Sequence, residues 1–254
     1  MDIKILVVTH KDYWMPNNEI YLPILVGNNK VKNNYLRDNT GDNISKKNKN
    51  YCELTALYWA WKNLDNKYIG LCHYRRYFSK KEKCGIFEFI NIKGKRNFIM
   101  KKNEYENILK KYDIILPKKL FLDGLSVKEH YEKYHNIKDL ETVRDIIKVS
   151  YKEDLIFFDK IMKKKYLYPY NMFVMNKKFL DEYCIWLFNI LFELEKRIDI
   201  SNYDDYQTRV YGFLSERLFN VWVLKKNLKI YENNIIFLEK SFSFRLFIKR
   251  ILFK

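Results

Sequence analysis

Apolar positions along the chain follow two rhythms. Ile3 to Val8 (IKILVV) is a run rich in β-branched residues, which predicts a strand covered on both faces. "YLPILVG" at 21–27 predicts a second short strand. After a polar loop from Asn28 to Asn50, Leu54, Leu57, Tyr58 and Trp61 recur at i, i+3, i+4 and i+7, the spacing of one apolar helical face. Asn50 and Glu53 read as a capping box at its start. The helix leads into a strand at Tyr68 to Cys72, and "NEYENILKKY" (helix) leads into "DIILP" at 113–117 (strand). "YNMFVMN" at 170–176 is a further strand candidate. Strands alternating with helices predict an α/β fold with a mainly parallel sheet.

The second half is richer in helices. Ser126 and Glu129 have capping-box spacing before "VKEHYEKYH", Asp139 is expected to cap the next helix, and Phe179 to Ile198 is apolar nearly all round. Asp204 and Gln207 are expected to cap a helix through "YGFLSERLFNVWVL". Seven Gly, four Pro and no low-complexity stretch leave no linker, so residues 1–240 read as one domain. Residues 241–254, "SFSFRLFIKRILFK", read as a basic amphipathic tail suited to an acidic membrane surface.

Composition adds a strong charge. Lys and Arg number 48 against 31 acidic residues, a net +17 spread along the chain, which favours polyanionic or phosphorylated partners. An A+T-rich coding sequence accounts for part of this excess. Cys52, Cys72, Cys84 and Cys184 show no CxxC pairing, so a reducing compartment is expected and a zinc site is not. The N-terminus lacks the pattern of a signal peptide, and the longest apolar stretch is broken by Glu193 and Glu195. A cytoplasmic, soluble or membrane-peripheral protein is expected.

Candidate chemistry gathers where strands end. His10 and Lys11 follow the first strand, and "HYRRY" ends "YIGLCHYRRYF". In open α/β sheets ligands bind at the carboxyl ends of strands. His10, Lys11, His73, Arg75 and Arg76 would make a cationic crevice suited to a diphosphate, with Arg as a bidentate clamp and Lys as a point charge. A dinucleotide fingerprint, a P-loop and a Ser-centred nucleophile elbow are all absent. In "EHYEKYH", His130 and His135 are five apart, which excludes HExxH; they are expected at the helix surface or facing an acceptor. Aromatic residues make up 17 %, but Trp59, Trp61, Trp186 and Trp222 fall at core spacings within helices, and nucleic acid is not an expected partner.

Four segments, "NISKKNKNYCELTALYWAWKN", "YIGLCHYRRYF", "YNMFVMNKKFLDEYCIWLFNIL" and "RVYGFLSERLFNVWV", resemble in sequence and order an incompletely characterised family of bacterial glycosyltransferases. Its members serve capsule, exopolysaccharide and O-antigen synthesis. The resemblance implies a GT-A-like fold, a Rossmann-type nucleotide-sugar-binding sheet flanked by helices with a helix-rich C-terminal half. It further implies sugar transfer, guessed as galactose in pyranose or furanose form, from a UDP-sugar to a lipid-linked saccharide. "HYRR" stands where most GT-A enzymes carry a metal-binding Asp-x-Asp. Fixed cations would then neutralise the leaving diphosphate, and Mn²⁺ or Mg²⁺ is not an expected cofactor. Glu216 in "GFLSERL" is either the base that deprotonates the acceptor hydroxyl or a structural ion-pair partner of an arginine, with Asp139 and Asp154 as further choices of base. Asp38, Asp42, Asn43, Asn48, Tyr51 and Asn171 are expected at the nucleoside or sugar, and His130 and His135 at the acceptor. A plain surface loop would share the composition of 38–51, and a buried Asn171 could instead satisfy backbone groups. The rival from another class is a non-catalytic protein that binds RNA or acidic lipid.

Overall fold

The computed structural model describes residues 1–80 and 91–239; Cys84 and the basic tail at 241–254 lie outside the described residues. Strands β1 (Ile3–Thr9), β2 (Tyr21–Leu25) and β3 (Leu36–Arg37) are followed by helices α1 (Asn48–Tyr51) and α2 (Leu54–Asn63), then by β4 (Tyr68–His73) and β5 (Arg76–Phe78). Helices α3 (Ile92–Arg96) and α4 (Lys102–Leu109) precede β6 (Ile114–Pro117) and β7 (Leu120–Phe121). Next come α5 (Val127–Tyr134), α6 (Ile137–Ser150) and α7 (Leu155–Met162). The chain continues through β8 (Tyr166–Leu167), β9 (Phe173–Asn176), α8 (Lys177–Glu195), α9 (Val210–Lys226), β10 (Ile230–Asn233) and β11 (Ile235–Phe237).

The main sheet runs β10-β6-β9-β4-β1-β2-β3, with β5 pairing β4 and β11 pairing β5. Strands β3, β2, β1 and β4 are parallel, as the alternation of elements predicts. Strand β9 departs from that expectation: it lies antiparallel to both β4 and β6 and makes the sheet mixed. Both faces are covered. Leu6 and Val8 of β1 enter a core shared with α2 and α5–α9, while Ile3, Ile5 and Val7 enter a second core with β5, α4 and β11. This opposite placement of alternate side chains is the period-two geometry of a strand buried on both faces.

Gly70 permits the close approach at the centre of the sheet. A Cβ there would stand 2.8 Å from Val174 Cγ2, 3.0 Å from the Phe173 carbonyl oxygen and 3.2 Å from Ile5 Cγ1. Gly70→Ala is therefore expected to destabilise the fold by about 1–3 kcal/mol, measured as a lower denaturant midpoint at unchanged slope.

Helix starts correct three local expectations. Asn50 and Glu53 form no capping box: Asn50 lies inside α1 and donates to the Thr208 carbonyl, while Glu53 accepts from Asn171. The chain instead turns between α1 and α2 at Cys52, whose φ is 53°. Helix α6 is capped by Asn136, which accepts from the Lys138 N–H, so Asp139 does not cap it. Asp204 accepts from the Tyr206 and Gln207 N–H groups, and Gln207 begins a 3-10 turn ahead of α9, so neither side chain caps α9. The Ser126–Glu129 box is present as expected. Among the described residues no helix is long and apolar enough to cross a membrane.

Candidate functional site

The apolar half of "YIGLCHYRRYF" is β4, and its basic half is a tight hairpin into β5 in which His73 pairs with Arg76. Tyr74 N–H donates to the Val8 carbonyl, which ties the hairpin to the end of β1, and the Arg75 carbonyl accepts from Leu238 N–H. Tyr77 turns into the core. Arg75 and Arg76 are thus held at the carboxyl end of the sheet. They border a cleft of about 590 Å³, whose walls include His10, Asn48, Glu53, His73, Glu216 and Arg217. The placement follows the rule for ligand sites in open α/β sheets.

A strained turn forms one wall. Tyr170 (φ 75°) and Asn171 (φ 51°) both occupy the left-handed region without being glycine, which costs about 1–3 kcal/mol each. Contacts on all sides hold them there. Tyr170 N–H donates to Glu216 Oε1 (2.5 Å), its carbonyl accepts from His73 Nε2 (2.8 Å), and its ring lies 4.5 Å from the Arg76 guanidinium carbon. Asn171 Nδ2 donates to Glu53 Oε1 (2.7 Å) and Ser215 Oγ (2.9 Å). Because a carbonyl only accepts, His73 carries its proton on Nε2.

Helix α9 supplies the adjoining wall. Gly212, Phe213, Glu216 and Arg217 reach the cleft from its first turns, and Asn220 anchors the helix by bonding both the N–H and the carbonyl of Tyr168. Arg217 is nearly buried: it bonds the Phe213 carbonyl (3.0 Å), Glu216 Oε2 (3.1 Å) and His130 Nδ1 (3.3 Å), while its Nε has no partner among the described residues. Burial pushes the Glu216 carboxyl above the usual carboxylate range against the pull of Arg217, because the charged form loses hydration.

All four histidines of the chain line this cleft. Burial lowers the pKa of His10, His73 and His130, and nearby arginines or lysines lower each further. Burial takes His135 down to about 4. Neutral imidazoles therefore stand at pH 7 beside the guanidinium groups of Arg75, Arg76, Arg209 and Arg217. The two carboxylates of the cleft, Glu53 and Glu216, are already engaged by Asn171, Tyr170 and Arg217. Net positive charge with engaged carboxylates suits an anion such as a diphosphate. Among the described residues no three His, Cys, Asp or Glu side chains cluster as a metal would require.

The structure thus brings together His10, Asn48, His73, Arg75, Arg76, His130, His135 and Glu216 of the residues singled out from sequence. Others stand apart. Lys11 follows His10 but extends over the Tyr74 ring, 5.1 Å from its centroid. Asp38 is fully buried and accepts from Ser45 Oγ, Thr55 Oγ1 and Gly27 N–H, organising the loop before α1. Asp42 accepts from Tyr58 OH, and Asn43 bonds its own loop. Tyr51 is buried, stacked on Tyr211 at 4.5 Å. Asn171 is buried behind the cleft wall. Asp139 and Asp154 are buried elsewhere, the first accepting from Tyr203 and the second from Trp186 and Lys225. Glu53, Tyr170, Arg209 and Arg217 line the cleft without having been singled out. Glu53 carried a capping signal only, and Arg209 reaches Cys52, 157 positions away, which no spacing reveals.

Comparison with known proteins agrees with this architecture. The fold is similar to the apo structure of the WbbM bifunctional glycosyltransferase, with a TM-score of 0.81 and 32 % sequence identity over 93 % of this chain and 45 % of that one. The chain spans about half the length of that protein, and the shared core has the GT-A-like form. No curated protein matches. The family described as a domain of unknown function, DUF4422, matches residues 4–227. Since that span runs from β1 through α9 and includes every residue that borders the cleft, the chain belongs to the DUF4422 family.

Proposed function

We propose that this protein is a glycosyltransferase that moves a sugar from a UDP-linked donor to a lipid-linked saccharide in surface-polysaccharide synthesis. The observation that carries the reading is the convergence of Arg75, Arg76 and the imidazoles of His10 and His73 with Glu216 in one cleft at the strand ends. Similarity to WbbM, a bifunctional glycosyltransferase, supports the reaction class. UDP, a galactosyl group and the lipid-linked acceptor come from the family resemblance.

In this reading the arginines hold the diphosphate, and their charge stabilises it as it leaves. The acceptor hydroxyl oxygen attacks the anomeric carbon, the bond from that carbon to the donor's phosphate oxygen breaks, and the hydroxyl proton passes to Glu216. A base with a raised pKa suits that task, since its carboxylate takes up a proton more readily than an ordinary glutamate. By the family resemblance, "HYRR" stands where most GT-A enzymes carry a metal-binding Asp-x-Asp, so transfer is expected without Mn²⁺ or Mg²⁺. The apolar and basic residues of 241–254 would favour an acidic lipid surface at the cytoplasmic face of the membrane, where such an acceptor sits.

Thermal unfolding across a panel of nucleotide sugars, with Mn²⁺ or EDTA, tests the donor. A donor present at about 100 times its dissociation constant adds about 2.7 kcal/mol, which raises Tm by about 5–10 °C for a chain of this size. The expected result is a shift with a UDP-sugar that chelation leaves unchanged. No shift with any nucleotide, alongside tight RNA binding, would favour a polyanion-binding protein instead.

A further inference from the structure

We infer that the folded domain carries its own membrane-contacting surface beside the mouth of the cleft, built on Leu120, Phe121 and Phe237, and that its partner is an anionic bilayer surface. These three apolar side chains are 43 %, 71 % and 42 % exposed, although they belong to a protein with two well-filled cores. Strand β7 consists of Leu120 and Phe121 alone, and both are exposed, so this strand contributes nothing to core burial. It is held out by pairing with β8, where Phe121 packs against Tyr166 with ring centroids 6.0 Å apart. Leu120 and Phe237 border one shallow recess with Pro169 and Tyr170.

Tyr170 links that recess to the cleft. Its ring meets Phe237 edge to face at 6.0 Å on one side and borders the cleft with Arg76 on the other. Phe237 and the candidate reaction site are thus separated by a single side chain.

Charge around the ledge selects the occupant. Lys118, Lys164 and Lys165 are exposed, and Lys119 lies over the Tyr166 ring while pairing with Glu232. Asp123 is the exposed acid in the same loop. Protruding Phe and Leu within a lysine collar match the interfacial pattern, in which apolar side chains enter the headgroup boundary and cations meet anionic lipid. The chain beyond the ledge has the same character. Phe237 lies two residues before the end of the described structure, and the sequence from Lys240 to Lys254 has eight large apolar residues, five cations and no acid. One weak signal gives marginal attachment and two give stable attachment, so the ledge would supply orientation that the tail alone lacks. Its functional meaning rests on the lipid-linked acceptor proposed above: the mouth of the cleft would face the lipid that carries it.

The test uses the full chain, co-sedimented with phosphatidylcholine vesicles with and without a share of phosphatidylglycerol. Wild type is expected to bind only the phosphatidylglycerol vesicles, and Leu120→Ser/Phe121→Ser is expected to lower that partition about tenfold, equivalent to about 1.4 kcal/mol. Since both positions are exposed, Tm and nucleotide-sugar binding should stay at wild-type values. Removal of residues 240–254 gives the tail's separate share. Equal partition of the double variant and wild type would overturn the inference, as would equal binding to both vesicle types. Loss of self-association instead of vesicle binding in the double variant would overturn it in favour of a second copy of the chain. Vesicle binding lost in the double variant, in a protein that binds no nucleotide sugar, would uphold the surface and refute the proposed reaction.

Discussion

Glu216→Gln is expected to slow sugar transfer about 100- to 10,000-fold while donor affinity stays close to wild type. The substitution isolates the charge. A glutamine Oε1 can still accept the Tyr170 N–H that now reaches Glu216 Oε1 at 2.5 Å, so the strained turn at 170–171 keeps its support. Removing the charge also removes a hydration penalty but leaves nearly buried Arg217 without its carboxylate partner, so a lower Tm is expected. The pH profile carries the sign. A base acts when ionised, so the wild-type rate should fall as pH drops through the raised pKa, at a higher pH than an ordinary glutamate would give. That limb should vanish in the variant. A purely structural Glu216 would share the loss of stability but leave transfer nearly intact and the acid limb of the pH profile in place.

A lesser change on the wall formed by the 170–171 turn separates positioning from chemistry. Asn171→Ala removes the donors to Glu53 and Ser215 and leaves a left-handed φ that alanine tolerates poorly. A loss of about 1–3 kcal/mol in unfolding free energy is expected, read by urea titration. Transfer should weaken with it, because the preceding residue, Tyr170, holds Glu216 through its N–H.

Legibility differed with the range of the interaction. The apolar runs that became β1, β4, β6 and α8 could be read because a strand covered on both faces and a packed helix show in local composition. The direction of β9 could not, because orientation depends on where the chain re-enters the sheet after α7 and β8, not on the composition of "FVMN". The cation cluster was visible because strand ends are where such folds bind ligands, and "HYRR" sits directly at one. Residues of the 38–51 loop looked alike in sequence and parted in space. Asn48 borders the cleft, whereas Asp38 is consumed by donors from Gly27 after β2, Ser45 of the loop and Thr55 of α2. Polar composition tells the two apart only once burial is known. Glu53 and Arg217 show the converse: Glu53 joins the site wall through Asn171, 118 positions away, and Arg217 meets His130, 87 positions away, which no local signal shows.

The two arginines of the hairpin should not weigh equally. Arg76→Ala is expected to weaken UDP-sugar binding about 10- to 150-fold, the loss of about 1.5–3 kcal/mol for a charge-assisted hydrogen bond. Its guanidinium is partly desolvated and already oriented over Tyr170, so little entropy is lost when phosphate binds. Its Nε is buried and has no partner among the described residues. Arg75 is more exposed and pairs with Glu239, so phosphate must displace a carboxylate to reach it. A smaller loss is expected for Arg75→Ala, and Glu239→Gln should tighten donor binding slightly. Arg76→Lys keeps the charge but loses the planar fork and the ring contact, and should fall between wild type and alanine. Calorimetric titration of all four variants with a UDP-sugar, repeated in EDTA, separates the contributions. If fixed cations do the work of a metal, the order Arg76→Ala, Arg76→Lys, Arg75→Ala from weakest to tightest should survive chelation unchanged. Wild-type affinity in both alanine variants would place the diphosphate elsewhere in the cleft.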